Sequence, residues 1–152
     1  QVLIVYGATG CGKTTQIPQF ILDDCAERDE VCSIIATQPR RISAVSVAAR
    51  VAQERGERLG RTVGYQIRFE QESDDTTCLL FVTVGILLKQ LEGDPLMSGY
   101  THIVVDEVHE RDLQTDFLLT ILKRLLPVRP DLRVVLMSAT MESTTFNTCF
   151  DN

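Results

Sequence analysis

The sequence predicts an α/β domain with a mainly parallel sheet and helices on both faces. Three observations carry this reading. Short runs rich in β-branched residues recur along the chain, and several are apolar on both faces, as strands covered by helices on either side must be. Stretches with helical spacing of apolar residues lie between those runs. The chain has 152 residues, the length of one domain, and no linker-like segment, repeat or low-complexity stretch divides it, so residues 1–152 read as a single unit.

The elements follow in order. Residues 2–6 form the first apolar run and read as a buried strand. A chain opening inside a core strand without a start Met is expected to be a piece of a longer protein. A helix over 13–28 follows, with Ile17, Phe20, Ile21 and Leu22 on one side and Pro18 expected near its first turn, where a missing N–H matters least. Strand 33–37 leads to a helix over 41–55, with Ile42, Val45, Ala49 and Ala52 at helical spacing. Strands 63–67 and 78–82 precede a shorter helix over 84–91, which Gly93 and Pro95 end. Strand 102–105 leads to the clearest amphipathic helix, 113–126, with Leu113, Phe117, Leu118, Ile121, Leu122 and Leu125 along it and Pro127 after it. Strand 134–137 is the last.

Composition excludes several functions. Asp plus Glu number 21 against 15 Lys plus Arg, a formal charge of −6. Such a domain does not hold nucleic acid by bulk electrostatics; any contact must come from a local strip of donors or from parts outside the chain. Aromatic residues make up 6% and Trp is absent, which argues against a platform of many stacking rings. The five cysteines are odd in number and none has CxxC spacing, so neither a disulfide framework nor a zinc knuckle is expected. Free thiols, no signal peptide and no apolar run of about 18 residues lead to the expectation of a soluble protein of the cytoplasm or nucleus, with no membrane partner.

Two motifs carry chemistry. Strand 2–6 runs into Gly7-Ala8-Thr9-Gly10-Cys11-Gly12-Lys13-Thr14, and a helix follows. This is G-x-x-x-x-G-K-[ST] in strand–loop–helix context. The glycines let the backbone curl so that its N–H groups face phosphate oxygens, and the helix N-terminus adds partial positive charge. Gly7, Thr9, Gly10, Cys11, Gly12, Lys13, Thr14 and Thr15 are therefore the expected nucleotide-binding residues. Lys13 reaches the β- and γ-phosphates, and the Thr14 hydroxyl suits Mg²⁺. The second motif is Asp106-Glu107-Val108-His109, at the C-terminal tip of strand 102–105, the ligand end of an open α/β sheet. Asp106 is expected to hold Mg²⁺, with Glu107 beside it as a further metal residue that also orients and deprotonates the attacking water. Together the motifs specify a nucleoside triphosphatase that works with Mg²⁺. The lid arginines of a small-molecule kinase and the Asn-Lys-x-Asp of a GTPase are absent from the sequence, and a binding-only clamp would not need Glu107.

Further segments complete a pattern. After residues 7–20 come Thr37-Gln38-Pro39-Arg40-Arg41, Val63-Gly64-Tyr65-Gln66-Ile67-Arg68-Phe69-Glu70, residues 106–111 and Ser138-Ala139-Thr140, in that order. The chain resembles the first RecA-like domain of the DEAH/RHA-type superfamily-2 RNA helicases over nearly its whole length. That resemblance implies a RecA-like fold and an ATP-dependent RNA helicase. It assigns Arg50 to stacking on the nucleotide base, and Arg40, Arg41, Arg68 and Thr83 to the backbone of single-stranded RNA on the face opposite the nucleotide. It gives Ser138 and Thr140 the coupling of hydrolysis to strand movement, and has His109 bond across to a second RecA-like domain. That domain, with its arginine fingers, further C-terminal domains and regulatory protein partners are implied beyond this chain. The isolated chain is accordingly expected to bind nucleotide and scarcely hydrolyse it, since arginine fingers supply roughly 10³–10⁵ in rate. Two departures stand out: Val108 where the family commonly has Ala, and Thr83-Val84-Gly85 where it commonly has Thr-Asp-Gly. RNA and DNA remain alternative substrates, because backbone contacts do not read bases.

Overall fold

The structure, a computed structural model, describes residues 1–141 and Phe150. Among these residues seven strands form one sheet: β1 (Val2–Tyr6), β2 (Ile34–Gln38), β3 (Val63–Ile67), β4 (Glu70–Glu72), β5 (Leu79–Thr83), β6 (His102–Val105) and β7 (Arg133–Ser138). They lie in the order β1-β7-β6-β2-β5-β3-β4. Every pairing is parallel except β3 with β4. The helices are α1 (Lys13–Glu27), α2 (Arg41–Glu54), α3 (Val84–Gly93) and α4 (Leu113–Leu125). The fold is the expected α/β domain of RecA-like type. Among the described residues no helix is long and apolar enough to cross a membrane.

Two apolar layers hold it together, one on each face of the sheet. On one face Ile34, Ala36, Phe81, Val104 and Met137 meet Leu22 of α1 and Ala44, Ala48, Val51 and Ala52 of α2. On the other, Ile35, Val82, Ile103, Val105 and Leu136 meet Leu87 of α3 and Leu118, Leu122 and Leu125 of α4. Each large side chain buried this way contributes roughly 1.5–3 kcal/mol. Alternate residues of the central strands feed opposite layers, which explains why those strands read as continuously apolar.

The helix faces differ from those the spacing suggested. Phe20 is exposed, and α1 instead buries Pro18, Leu22 and Cys25, a set spaced i, i+4, i+7. Pro18 lies in the sixth helical position, inside the helix rather than in its first turn. On α2, Ile42 and Ala49 face solvent, and the docked face is Ala44, Ala48, Val51 and Ala52. Leu113 and Phe117 of α4 are also exposed. In each case the apolar residues cover a wide arc, and helix–sheet contact selects only part of it. Strand β4 was not expected at all, because its three exposed polar residues carry no strand pattern. It forms by pairing Glu70, Gln71 and Glu72 with Ile67, Gln66 and Tyr65. A side chain at Gly64 would run into the Glu72 carbonyl, so β3 needs glycine there. Charged residues on this edge discourage pairing with another chain.

Candidate functional site

The phosphate loop joins the end of β1 to the start of α1. Gly10 and Gly12 adopt φ of 83° and 94°, a region that side chains disfavour, and Gly12 caps α1. The loop is anchored at its root by Gly7 N–H donating to the Ser138 carbonyl (3.1 Å) and inside α1 by Gln16 N–H donating to Gly12 (2.9 Å). Thr15 Oγ1 also donates to the Gly12 carbonyl (3.3 Å). Lys13 Nζ folds over the loop, donating to the Gly7 and Ala8 carbonyls, the latter at 3.0 Å. Ala8, Thr9, Gly10 and Cys11 are exposed, open to a polyphosphate.

Opposite the loop stands Asp106, only 3% exposed at the tip of β6. Its Oδ2 accepts from Thr14 Oγ1 (2.5 Å) and from Gln38 Nε2 (2.8 Å); its Oδ1 accepts from Glu107 N–H (2.8 Å). Three donors thus satisfy a buried carboxylate that would otherwise be costly. Thr14 and Asp106 are 92 residues apart in sequence and touch. Their neighbouring oxygens form a hard donor set of the kind Mg²⁺ takes alongside phosphate and water. Gln38 was missed by the sequence reading. Its signal was a polar residue ending the otherwise buried β2 at the ligand edge of the sheet.

Glu107 adopts φ 56°, ψ 36°, and Arg111 a similar left-handed conformation; between them lies a single 3-10 turn, Val108–Glu110. Strained non-glycine backbone concentrates at functional positions. Val108, fully buried in the α3/α4 layer, pins this turn. Burial first, then the neighbouring Asp106 carboxylate, pushes the Glu107 carboxyl above its ordinary value; His109 and Lys13 act in the opposite sense. His109 uses both ring nitrogens within the domain. Ala139 N–H donates to Nδ1 (3.1 Å), which puts the ring proton on Nε2, 3.1 Å from Glu107 Oε2. Of the three expected metal residues, Thr14 and Asp106 are in contact, and Glu107 is directed at His109.

Ser138 and Thr140 form a local turn: Ser138 Oγ donates to the Thr140 carbonyl (2.9 Å) and Thr140 N–H returns to Ser138 Oγ (3.2 Å). Residues 138–140 therefore touch the phosphate loop through Gly7 on one side and His109 through Ala139 on the other. Arg50 lies exposed on α2, paired with Glu54 at 3.2 Å. Glu54 also accepts from Gln19 (2.8 Å) and Gln16 (3.1 Å) of α1, and these bonds, Gln19 foremost, hold its carboxyl below the usual range. Arg50 is thus tied to the side of the helix that starts at the phosphate loop.

The other half of the same sheet edge carries the expected RNA residues. Arg41, Arg68 and Thr83 line one groove of ≈ 780 Å³, together with Lys89 of α3 and Gln114 of α4, which the sequence reading did not single out. Arg41 Nη2 donates to the Arg68 carbonyl (3.2 Å), and the Arg68 guanidinium lies 4.8 Å from the centre of the Phe69 ring. Phe69 is 92% exposed with φ 67° at the turn between β3 and β4. Arg40 stands outside this groove, 4.0 Å from Glu110. The residues expected to bind nucleotide and those expected to bind RNA thus sit side by side along the C-terminal strand ends rather than on opposite faces, the first on the β1/β6 half and the second on the β3/β5 half, because all these strands but β4 run parallel.

A family model described as DEAD/DEAH box helicase matches residues 1–148. The chain belongs to the DEAD/DEAH box helicase family. It is 57% identical to the DExH-box ATP-dependent RNA helicase DExH1 of Arabidopsis thaliana, over 100% of this chain and 16% of that protein. It is 56% identical to the putative ATP-dependent RNA helicase DHX57 of Homo sapiens, over 100% of the chain and 11% of that protein. Identity to the ATP-dependent DNA/RNA helicase DHX36 of Bos taurus is 52%, again over 100% of the chain and 16% of the relative. The chain therefore spans only a small part of these helicases. Its two departures from the commoner helicase motifs have one structural outcome. Val108 and Val84 both enter the apolar layer beneath α3 and α4, while Thr83 and Gly85 stay at the groove.

Proposed function

We propose that this chain is the ATP-binding motor domain of an ATP-dependent RNA helicase, which acts with a second RecA-like domain. The contact between Thr14 and Asp106 carries the reading, because it sets a phosphate-loop hydroxyl against a buried carboxylate at the sheet tip. Loop N–H groups of residues 7–15 and Lys13 bind the phosphates of ATP or ADP, and Arg50 stacks on the base. Thr14 and Asp106 would hold Mg²⁺, which would supply positive charge against the charge developing on the phosphates. Glu107, its carboxyl held above its ordinary value by burial and by Asp106, takes a proton from the attacking water. His109 orients Glu107 and, through Ala139, links it to Ser138 and Thr140. Arg41, Arg68, Thr83 and Lys89, with Arg40 beside them, hold the strand backbone. The second domain supplies the arginine fingers, and further domains and regulatory proteins set the target.

In the full-length protein Glu107→Gln is expected to abolish hydrolysis and leave ATP affinity largely unchanged. Gln keeps the size and still accepts from His109, but it cannot take a proton. Single-turnover hydrolysis and nucleotide affinity are measured side by side, with RNA and DNA strands as separate activators. Hydrolysis within a few-fold of wild type, or loss of ATP binding, would overturn the role given to Glu107. Stimulation by DNA as strong as by RNA would overturn the choice of RNA.

A further inference from the structure

A second cluster of metal-binding side chains lies at the opposite end of the sheet from the phosphate loop. Strands β2, β5 and β6 begin there together, because Ile34 pairs with both Leu79 and His102. Cys32 lies just before β2, Cys78 immediately before β5, and His102 opens β6; α1 brings Cys25 over them in its last turn. The sulfurs of Cys25 and Cys32 and a ring nitrogen of His102 all lie within 4.8 Å of one another. Cys25 and His102 are buried and Cys32 is half-buried. Cys78 lies beside the start of β2: its carbonyl accepts from Ile34 N–H (2.7 Å), and its side chain, like that of Cys32, packs against the apolar layer under α1 and α2.

Thr101 holds the His102 ring at one nitrogen. Thr101 Oγ1 accepts from Ser33 N–H (3.0 Å) and lies 3.0 Å from the Ser33 carbonyl and 2.8 Å from His102 Nδ1. When Nδ1 donates to this hydroxyl, the lone pair is left on Nε2. A metal-binding histidine needs this arrangement: one nitrogen free to ligate, the other held by an outer partner that sets the ring's orientation.

We propose that Cys25, Cys32 and His102 form a site for zinc or a similar thiolate-binding divalent ion, with Cys78 as the fourth ligand. Tetrahedral zinc holds sulfur at about 2.3 Å and nitrogen at about 2.0 Å, so its ligand atoms stand about 3.5–3.8 Å apart. The cluster needs to close by only about an ångström, and Cys32 stands in the connection between α1 and β2, where such a shift is small. Cys78, whose thiol now donates to the Thr76 carbonyl at 3.4 Å, completes the set by a rotation of its side chain. A groove of ≈ 320 Å³, lined by Phe20, Ile21, Asp24, His102 and Arg133, gives an entry path. The spacing of the cysteines hid the site, because its four ligands come from four separate segments of chain.

Co²⁺ titration of the reduced chain tests the proposal, since Co²⁺ in a tetrahedral thiolate site gives visible bands and a near-ultraviolet charge-transfer band that grows with each sulfur. Wild type is expected to show the spectrum of three sulfurs, and Zn²⁺ is expected to displace the Co²⁺. Cys32→Ser should weaken binding by more than the roughly 10–100-fold that outer partners alone contribute. Cys78→Ser should keep a tetrahedral spectrum with one sulfur fewer. The Cys11→Ser/Cys149→Ser double variant should bind as wild type does. Circular dichroism of the metal-free variants separates loss of a ligand from loss of the fold. Absence of thiolate bands in wild type, unchanged affinity in folded Cys32→Ser, or loss of the spectrum in the Cys11/Cys149 variant overturns the site. Cys78→Ser with an unchanged sulfur count overturns the fourth ligand.

Discussion

The two halves of the C-terminal sheet edge are built in opposite ways. On the β1/β6 half the functional side chains are cross-linked to one another: Thr14 and Gln38 to Asp106, Lys13 to its loop, His109 to both Glu107 and Ala139. On the β3/β5 half, Arg41, Arg68 and Lys89 rim an open groove with few ties, chiefly Arg41 to a backbone carbonyl and Arg68 over Phe69. The difference fits the tasks proposed for the two halves. Phosphoryl transfer needs a few groups held in fixed geometry against one phosphate, so their hydrogen bonds are made before substrate arrives. Binding a strand irrespective of its bases needs positive charge along a path, and loose side chains suffice. Strand β2 belongs to both halves, with Gln38 on Asp106 and Arg40 and Arg41 directly after it.

The comparison is broken most severely at Lys13. Lys13→Ala removes the one ammonium of the phosphate loop, and with it at least two charge-assisted hydrogen bonds of about 1.5–3 kcal/mol each. Calorimetry should show ADP·Mg²⁺ affinity falling by at least about a hundredfold in the isolated chain; an unchanged Kd would refute the pocket. The groove should respond more gently and without effect on nucleotide. In the isolated chain, binding of single-stranded RNA is expected to be weak. The triple variant Arg41→Ala/Arg68→Ala/Lys89→Ala should flatten the dependence of log K on log salt by about 0.7 per cation removed. Measured RNA affinity at several salt concentrations, with ADP affinity alongside, checks this. An unaltered slope, or an ADP affinity that falls with it, would show that the two halves are not separate.

The smallest effect concerns stability. The Glu107 carboxyl titrates above its ordinary 4.5, from burial first and Asp106 second. The folded chain thus holds this proton more tightly than the unfolded chain does. The group contributes no penalty below pH about 4.5 and destabilises increasingly as pH rises through its raised folded value. Glu107→Gln should therefore melt slightly higher than wild type at pH 7.5, by the equivalent of about 0.2–1 kcal/mol, as partly solvated charge pairs give. The gain should vanish near pH 4. A variant less stable than wild type at neutral pH would mean that the carboxylate's bond to His109 outweighs its repulsion by Asp106.

The sequence by itself determined the order of strands and helices, the phosphate loop and the acidic strand end, because each is written in contiguous residues with a local physical requirement. Glycines that must curl and a lysine that opens a helix are legible without any tertiary contact. Only the tertiary structure decided which side of each helix is buried. Phe20, Ile42 and Phe117 belong to wide apolar arcs, and docking against the sheet turned them outward. It also formed β4, whose polar residues pair only because β3 is present beside them. Gln38 on Asp106, Lys89 in the groove and the Cys25–Cys32–His102 cluster join residues far apart in sequence. Their partners are fixed by strand order and register, and those arise from long-range pairing of strands rather than from any local run of residues.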